Sequence, residues 1–162
     1  PNDAIIIASG TTVLAFARCI PPKAQLTVLT SAMNVAMALL NCQQVEVIQL
    51  GGIVRHTSSS VTGEYALRML ENFSGTKLFL GVDGIDLKYG LTTTNFMEAS
   101  VNRAMIDAAQ KIIVLTDSSK FGRRGFGKIC ELDAVDQIIT DSGVSPKVVR
   151  ELEELGIKVS IV

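Results

Sequence analysis

Seven short runs of β-branched and other apolar residues, 4–8, 26–29, 45–50, 77–82, 111–116, 137–140 and 158–162, are separated by stretches whose apolar positions recur every three to four residues. Runs that are apolar almost throughout are what strands covered on both faces require. Between them, Val13, Phe16, Ala17 and Ile20 fall at i, i+3, i+4 and i+7, and Met33, Ala36, Met37 and Leu40 repeat the spacing. Each set predicts a one-sided helix. Met97, Val101, Ala104, Met105 and Ala108 predict another, with Arg103 and Asp107 paired across one turn of its wet side. Val148, Leu152 and Leu155 predict a last helix, opened by Ser145-Pro146 and closed by Gly156. Strands alternating with helices of this length imply an α/β fold: a Rossmann-like, mostly parallel sheet with helices on both faces. Residues 57–63 and 88–95 are polar and glycine-bearing, and read as loops.

The strand ends carry small, polar or acidic residues. Ser9, Gly10, Thr11 and Thr12 follow the first run, and Thr30-Ser31 precede the second helix with Asn34 one turn in. Gly51-Gly52 follow the third run, Asp83-Gly84 the fourth, and Asp117-Ser118-Ser119-Lys120 the fifth. Open α/β sheets bind ligands outside the carboxyl ends of their strands. A helix that begins there points unbonded N–H groups outward with the positive end of its dipole behind them, which suits an anion. Gly10 lets backbone approach a ligand, and the Ser9, Thr11 and Thr12 hydroxyls can donate to phosphate oxygens. Taken singly, each feature has a plainer reading: serine and threonine cap helices, Asp83 caps a turn, Glu98 is a solvated helix residue, and Arg55 and Lys120 are surface charges. Recurrence at successive strand ends favours a site. His56 reads as a loop histidine and Arg123-Arg124 as a solvated loop.

With 162 residues, 48% hydrophobic and 19% charged, the chain is long enough for one core and reads as one domain. Its net charge of −1 offers no basic footprint for nucleic acid. Cys19, Cys42 and Cys130 lack CxxC spacing, and a lone histidine leaves too few soft ligands for zinc. No metal and no cofactor is therefore expected, and the thiols read as reduced core residues of a cytoplasmic protein. No apolar run approaches the roughly 18 residues of a membrane span, and no export signal is apparent. The start at Pro1-Asn2-Asp3 reaches a strand almost at once and reads as a piece cut from something longer.

In order along almost the whole chain, "IASGTT", "LTVLTSAMNVAMAL", "VEVIQLGGIVRHTSSSVTG", "KLFLGVDGIDLKYGLTTTNFMEASVNRAMIDAA", "IIVLTDSSKFGRRGF" and "LDAVDQIITDSGV" resemble the effector-sensing domain of DeoR-type bacterial transcriptional regulators of sugar metabolism. The resemblance implies the fold of ribose-phosphate isomerases, glucosamine-phosphate deaminase/isomerases and CoA transferases. It also implies a non-catalytic pocket for a phosphorylated sugar, and contact with operator DNA only through an N-terminal winged helix-turn-helix expected to be absent here; the high apolar fraction suggests a buried subunit face and so a homo-oligomer, dimer or tetramer. The phosphate cradle implied is Ser9, Gly10, Thr11 and Thr12, with Thr30, Ser31, Asn34 and Lys120 beside it. Gly51, Gly52 and Arg55 would close one wall, and Asp83, Gly84, Gly90, Thr92, Glu98 and Asp117 would face the sugar. Ala8 departs from many relatives, in which an acidic residue precedes the SGTT-like run.

The rival reading is a sugar-phosphate isomerase or deaminase. Such chemistry needs a general base and an electrophile for the enediolate. "DGID" at 83–86 and "DSSK" at 117–120 keep part of that set, and Glu98 could serve as base, but "GLTTTNFMEAS" at 90–100 contains no lysine. The sensor reading is therefore preferred, with the ligand expected to draw residues 57–63 and 88–95 together and so bias the subunit arrangement. A bare oligomerisation module is the third reading.

Overall fold

A computed structural model describes residues 3–162; the Pro1-Asn2 start lies outside the described residues. The first half runs β1 (Asp3–Ile7), α1 (Thr11–Arg18), β2 (Leu26–Thr30), α2 (Met33–Leu39), β3 (Val45–Gln49), β4 (Ile53–Arg55), β5 (Ser60–Thr62) and α3 (Glu64–Leu70). The second runs β6 (Gly75–Leu80), β7 (Gly84–Asp86), β8 (Gly90–Thr93), α4 (Phe96–Asp107), β9 (Ala109–Leu115), β10 (Gly127–Cys130), β11 (Gln137–Thr140), α5 (Pro146–Glu154) and β12 (Lys158–Ile161).

All seven apolar runs form one parallel sheet in the order β12-β11-β9-β6-β1-β2-β3. Successive side chains of a strand leave opposite faces, so both faces need covering. Ile5 and Ile7 pack with Val13 and Ala17 of α1 and Val35 and Leu39 of α2. Ile6 packs on the other face with Leu78, Leu80, Ala66 and Leu70 of α3, Met105 of α4 and Leu152 of α5. From β1 the chain builds outward through β2 to β3, then returns to the other side of β1 with β6 and builds the opposite way. The strand order reverses between β1 and β6, and a crevice opens there at the carboxyl ends of the two strands.

Three expectations about the elements change. The presumed loops at 57–63 and 88–95 contain β5, paired with β4, and β8, which lies between β7 and β10. Gly90–Thr93 of β8 is buried throughout, so tertiary pairing has overridden its polar composition. Helix α2 buries Val35 and Leu39, leaving Met37 at 67% and Leu40 at 66% exposure. "MNVAMALL" is apolar on nearly every face, so its period could not select one. Arg103 does not pair with Asp107; it donates to the Lys128 carbonyl and the Ser100 hydroxyl.

Ser145 caps α5 by accepting from the Lys147 amide, Pro146 is its first residue, and Gly156 follows it with φ +84°. Of the thiols, Cys42 is buried, Cys19 is exposed rather than in the core, and Cys130 is half-buried, where burial pushes it up to about 12. Among the described residues no helix is long and apolar enough to cross a membrane, and no group of His, Cys, Asp and Glu is arranged to hold a metal ion.

Candidate functional site

At the end of β1 the chain turns through Ser9 and Gly10 into α1. Gly10 has φ +132°, a value that favours glycine, and no side chain caps the helix. The first bond across this turn is donated by the Leu14 amide to the Gly10 carbonyl, so the amides of Thr11, Thr12 and Val13 have no acceptor in the helix. Gly10, Thr11 and Thr12 are exposed. Beside them, after β6, a Cβ on Gly81 would come within 3.2 Å of the Ser9 carbonyl oxygen, so the two strand ends lie backbone against backbone.

These two ends form a cavity of about 270 Å³, completed by Thr57 and Ser58 from the β4–β5 hairpin, Thr93 and Thr94 after β8, Glu98 and Asn102 of α4, and Lys120. Asp83 is fixed by its Oδ2, which accepts from the Thr93 hydroxyl at 2.7 Å and the Thr94 amide at 3.0 Å. Its Oδ1 accepts nothing from the described residues and remains available. Glu98 stands in the first turn of α4, where Asn95 Oδ1 accepts from the Met97 and Glu98 amides and so starts the helix.

Lys120 ends a short 3₁₀ turn, Ser118–Lys120, held by two carboxylates. Asp117 Oδ1 accepts from the Ser119 amide and hydroxyl, and Asp141 accepts from the Ser118 amide at 2.9 Å and the Gly143 amide at 2.8 Å. Those bonds hold both acids below the usual carboxylate range. Lys120 itself forms no salt bridge among the described residues. The cavity thus combines free amides, hydroxyls and a cation on one hand with two hydrogen-bond-accepting carboxylates on the other.

Of the candidates read from sequence, the structure brings together Ser9, Gly10, Thr11, Thr12, Asp83, Glu98 and Lys120. The others lie off the cavity wall. Thr30 and Ser31 are buried, and Thr30 Oγ1 accepts from the Ala32 amide. Asn34 sits on α2 with Oδ1 buried and without a partner among the described residues. Gly51 and Gly52 lead into the hairpin, and a Cβ on Gly52 would stand 2.5 Å from the Thr62 carbonyl oxygen. Arg55 stands behind Glu98, with Nε 3.9 Å from its carboxylate. Gly84 and Gly90 are packing glycines, pressed against the Arg123 and Cys130 carbonyls. Thr92 is buried and accepts from the Gly125 amide at 2.7 Å, and Asp117 supports the turn under Lys120.

Thr57, Ser58, Gly81, Val82, Thr93, Thr94 and Asn102 line the cavity without having been singled out as site residues. Asn102, which the fold buries, did carry a sequence signal: an uncharged polar residue four positions beyond Glu98 and next to the apolar Val101. Thr57 and Ser58 lay within one of the two segments expected to close on a ligand.

The seven-stranded parallel α/β fold recurs in solved structures of low sequence identity. Ribose 5 phosphate isomerase A from Neisseria gonorrhoeae superposes with a TM-score of 0.53 over 76% of this chain and 48% of its own, at 14% identity. Residues 1–142 match the model of the DeoR C terminal sensor domain, and the chain belongs to that family. It is 41% identical over its whole length to the putative aga operon transcriptional repressor of Escherichia coli O157:H7, covering 60% of that protein. It is 38% identical over 99% of its length to an uncharacterized HTH-type transcriptional regulator of Bacillus subtilis, YulB, covering 62% of it. The chain therefore spans about 60% of the length of these curated relatives, one described as a transcriptional repressor and the other as a transcriptional regulator.

Proposed function

We propose that this sensor domain binds a phosphorylated sugar or a close relative without turning it over, and that occupancy controls DNA binding by a helix-turn-helix portion of a longer cytoplasmic regulator. One observation carries the reading. The uncapped N-terminus of α1, with its free amides and the hydroxyls of Ser9, Thr11 and Thr12, shares a cavity of about 270 Å³ with Lys120, Asp83 and Glu98. A phosphate dianion is suited to amides and a cation, and sugar hydroxyls are suited to carboxylates that accept hydrogen bonds. The phosphate is assigned to the α1 seam and Lys120, and the hydroxyls to Asp83 and Glu98. Met37 on α2, Leu40 just after it, and Ile53 and Val54 on β4 are exposed apolar residues, consistent with a homo-oligomer.

Thermal melts against a panel of sugar phosphates and the corresponding free sugars test the assignment. A phosphorylated ligand at about a hundredfold excess over its dissociation constant stabilises the fold by about 2.7 kcal/mol, without product formation. A co-crystal structure with the phosphate away from Gly10–Thr12 overturns it.

A further inference from the structure

We propose that Arg55, outside the cavity wall, is a positioning residue: it sets the Glu98 carboxylate as the acceptor for the hydroxyl-bearing end of the effector and so ties the β4–β5 hairpin to α4 when the site fills. The inference rests on the phosphosugar reading above. Among the described residues, both side-chain contacts to the Glu98 carboxylate come from the hairpin. Ser60 Oγ donates to Oε1 at 3.4 Å, and Arg55 Nε faces Oε2 at 3.9 Å. Both contacts are long, since a charge-assisted N–H···O bond closes to about 2.7–2.9 Å.

The Arg55 Nε is buried and has no hydrogen-bond partner among the described residues. A buried donor left in that condition is destabilising, and closing on Glu98 relieves it. The Glu98 side chain is 12% exposed and that of Arg55 30%, so water screens the pair less than a surface pair. The same hairpin places Thr57 and Ser58 in the cavity wall, with Ser58 Oγ 2.7 Å from Ser60 Oγ. A ligand hydroxyl bonded to Glu98 therefore joins a chain of contacts running Ser58, Ser60, Glu98, Arg55. Fixing Glu98 from the cavity side draws its other oxygen and Arg55 together. A hairpin of two three-residue strands has little stability of its own, so one such contact alters its order. Inorganic phosphate at the α1 seam has no hydroxyl-bearing end with which to do this.

The test is calorimetric titration of the wild-type chain, R55M, R55K, E98Q and R55M/E98Q with ribose 5-phosphate, glucose 6-phosphate and inorganic phosphate, alongside amide exchange over residues 53–62. For whichever sugar phosphate binds the wild type, R55M is expected to weaken it about tenfold or more and inorganic phosphate less than about threefold. R55K, which keeps the charge without the Nε donor, falls between R55M and wild type. The double variant is no weaker than E98Q, because Arg55 acts through Glu98. The bound sugar phosphate slows exchange in the hairpin of the wild type and does so less in R55M. Equal losses for sugar phosphate and inorganic phosphate, additive losses in the double variant, or a folded R55M indistinguishable from wild type overturn the inference while leaving the phosphosugar reading in place. If R55M does not fold, R55K decides: wild-type affinity for the sugar phosphate overturns the inference, and an intermediate affinity supports it. A wild-type chain that binds neither these two sugar phosphates nor any other of the thermal-melt panel overturns both.

Discussion

Two strand-to-helix junctions in this molecule are built from similar residues and end in different states. At the first, Ser9-Gly10-Thr11-Thr12, the helix start has no side-chain cap, is largely exposed, and its residues line a cavity. At the second, Thr30 to Asn34, the hairpin lies across the helix start: Met33 donates to the Ser59 carbonyl at 2.7 Å, Ala32 to Thr30 Oγ1 at 3.0 Å, and Ser60 bridges Ala32. Thr30 and Ser31 are consequently buried. A polar helix start is an anion site only where nothing else in the fold satisfies its amides.

The comparison can be broken in four ways. The largest expected effect is at the open junction, where Lys120→Ala removes the cation assigned to the phosphate in the proposed function. It should weaken a phosphorylated ligand by about 1.5–3 kcal/mol and the free sugar hardly at all, as read by calorimetry. Next, Thr30→Val at the closed junction leaves the Ala32 amide without its acceptor. It should lower unfolding stability by about 1–3 kcal/mol in denaturant titration with ligand affinity unaltered; a loss of phosphate affinity instead would place Thr30 in the site.

Gly10→Ala meets open space, with only Val13 Cγ2 at 3.9 Å from the new Cβ, but must hold φ near +132°. About 1–2 kcal/mol of stability should be lost, and phosphate affinity with it as the turn relaxes. The smallest effect is that of acid on the turn under Lys120. Asp117 and Asp141 are held low by hydrogen bonds that need the carboxylate form, Asp117 chiefly by the Ser119 hydroxyl and Asp141 by the Ser118 amide. Their folded values lie below the unfolded ones, so the stability they lend is complete above the ordinary carboxylate pKa of about 3.9. It is lost as pH falls below that value through the folded ones. Melts from pH 7 to pH 3 should show the decline, reduced in Asp141→Asn.

The strands of the main sheet were legible because each is apolar enough to be covered twice, and their bounds shift by no more than about two residues. Helix α3 and the strands β4, β5, β7, β8 and β10 were not. Each strand is three or four residues long, and Gly90-Leu91-Thr92-Thr93 looks like a loop until β7 and β10 pair with it. The site was half legible for a related reason. Ser9 to Thr12, Asp83, Glu98 and Lys120 stand at or near strand ends where ligand chemistry was sought, whereas Thr57, Ser58 and Asn102 reach the cavity from a hairpin and a helix interior. Gly84, Gly90 and Thr92 belong to the same polar segments, yet their environment is backbone packing and a buried hydrogen bond.

By itself the sequence determined the seven strands of the main sheet, the caps of α5, and the small, polar or acidic residues at five of the strand ends. Strand order was decided only by the tertiary structure, because hydrophobic period is a local property and says nothing about which strand lies beside which. Placing β6 against β1 puts Gly81 to Asp83 next to Ser9 to Thr12, and folding the hairpin over α2 closes one junction while leaving the other open. Those choices belong to long-range packing, and they separate an open helix start from a covered one.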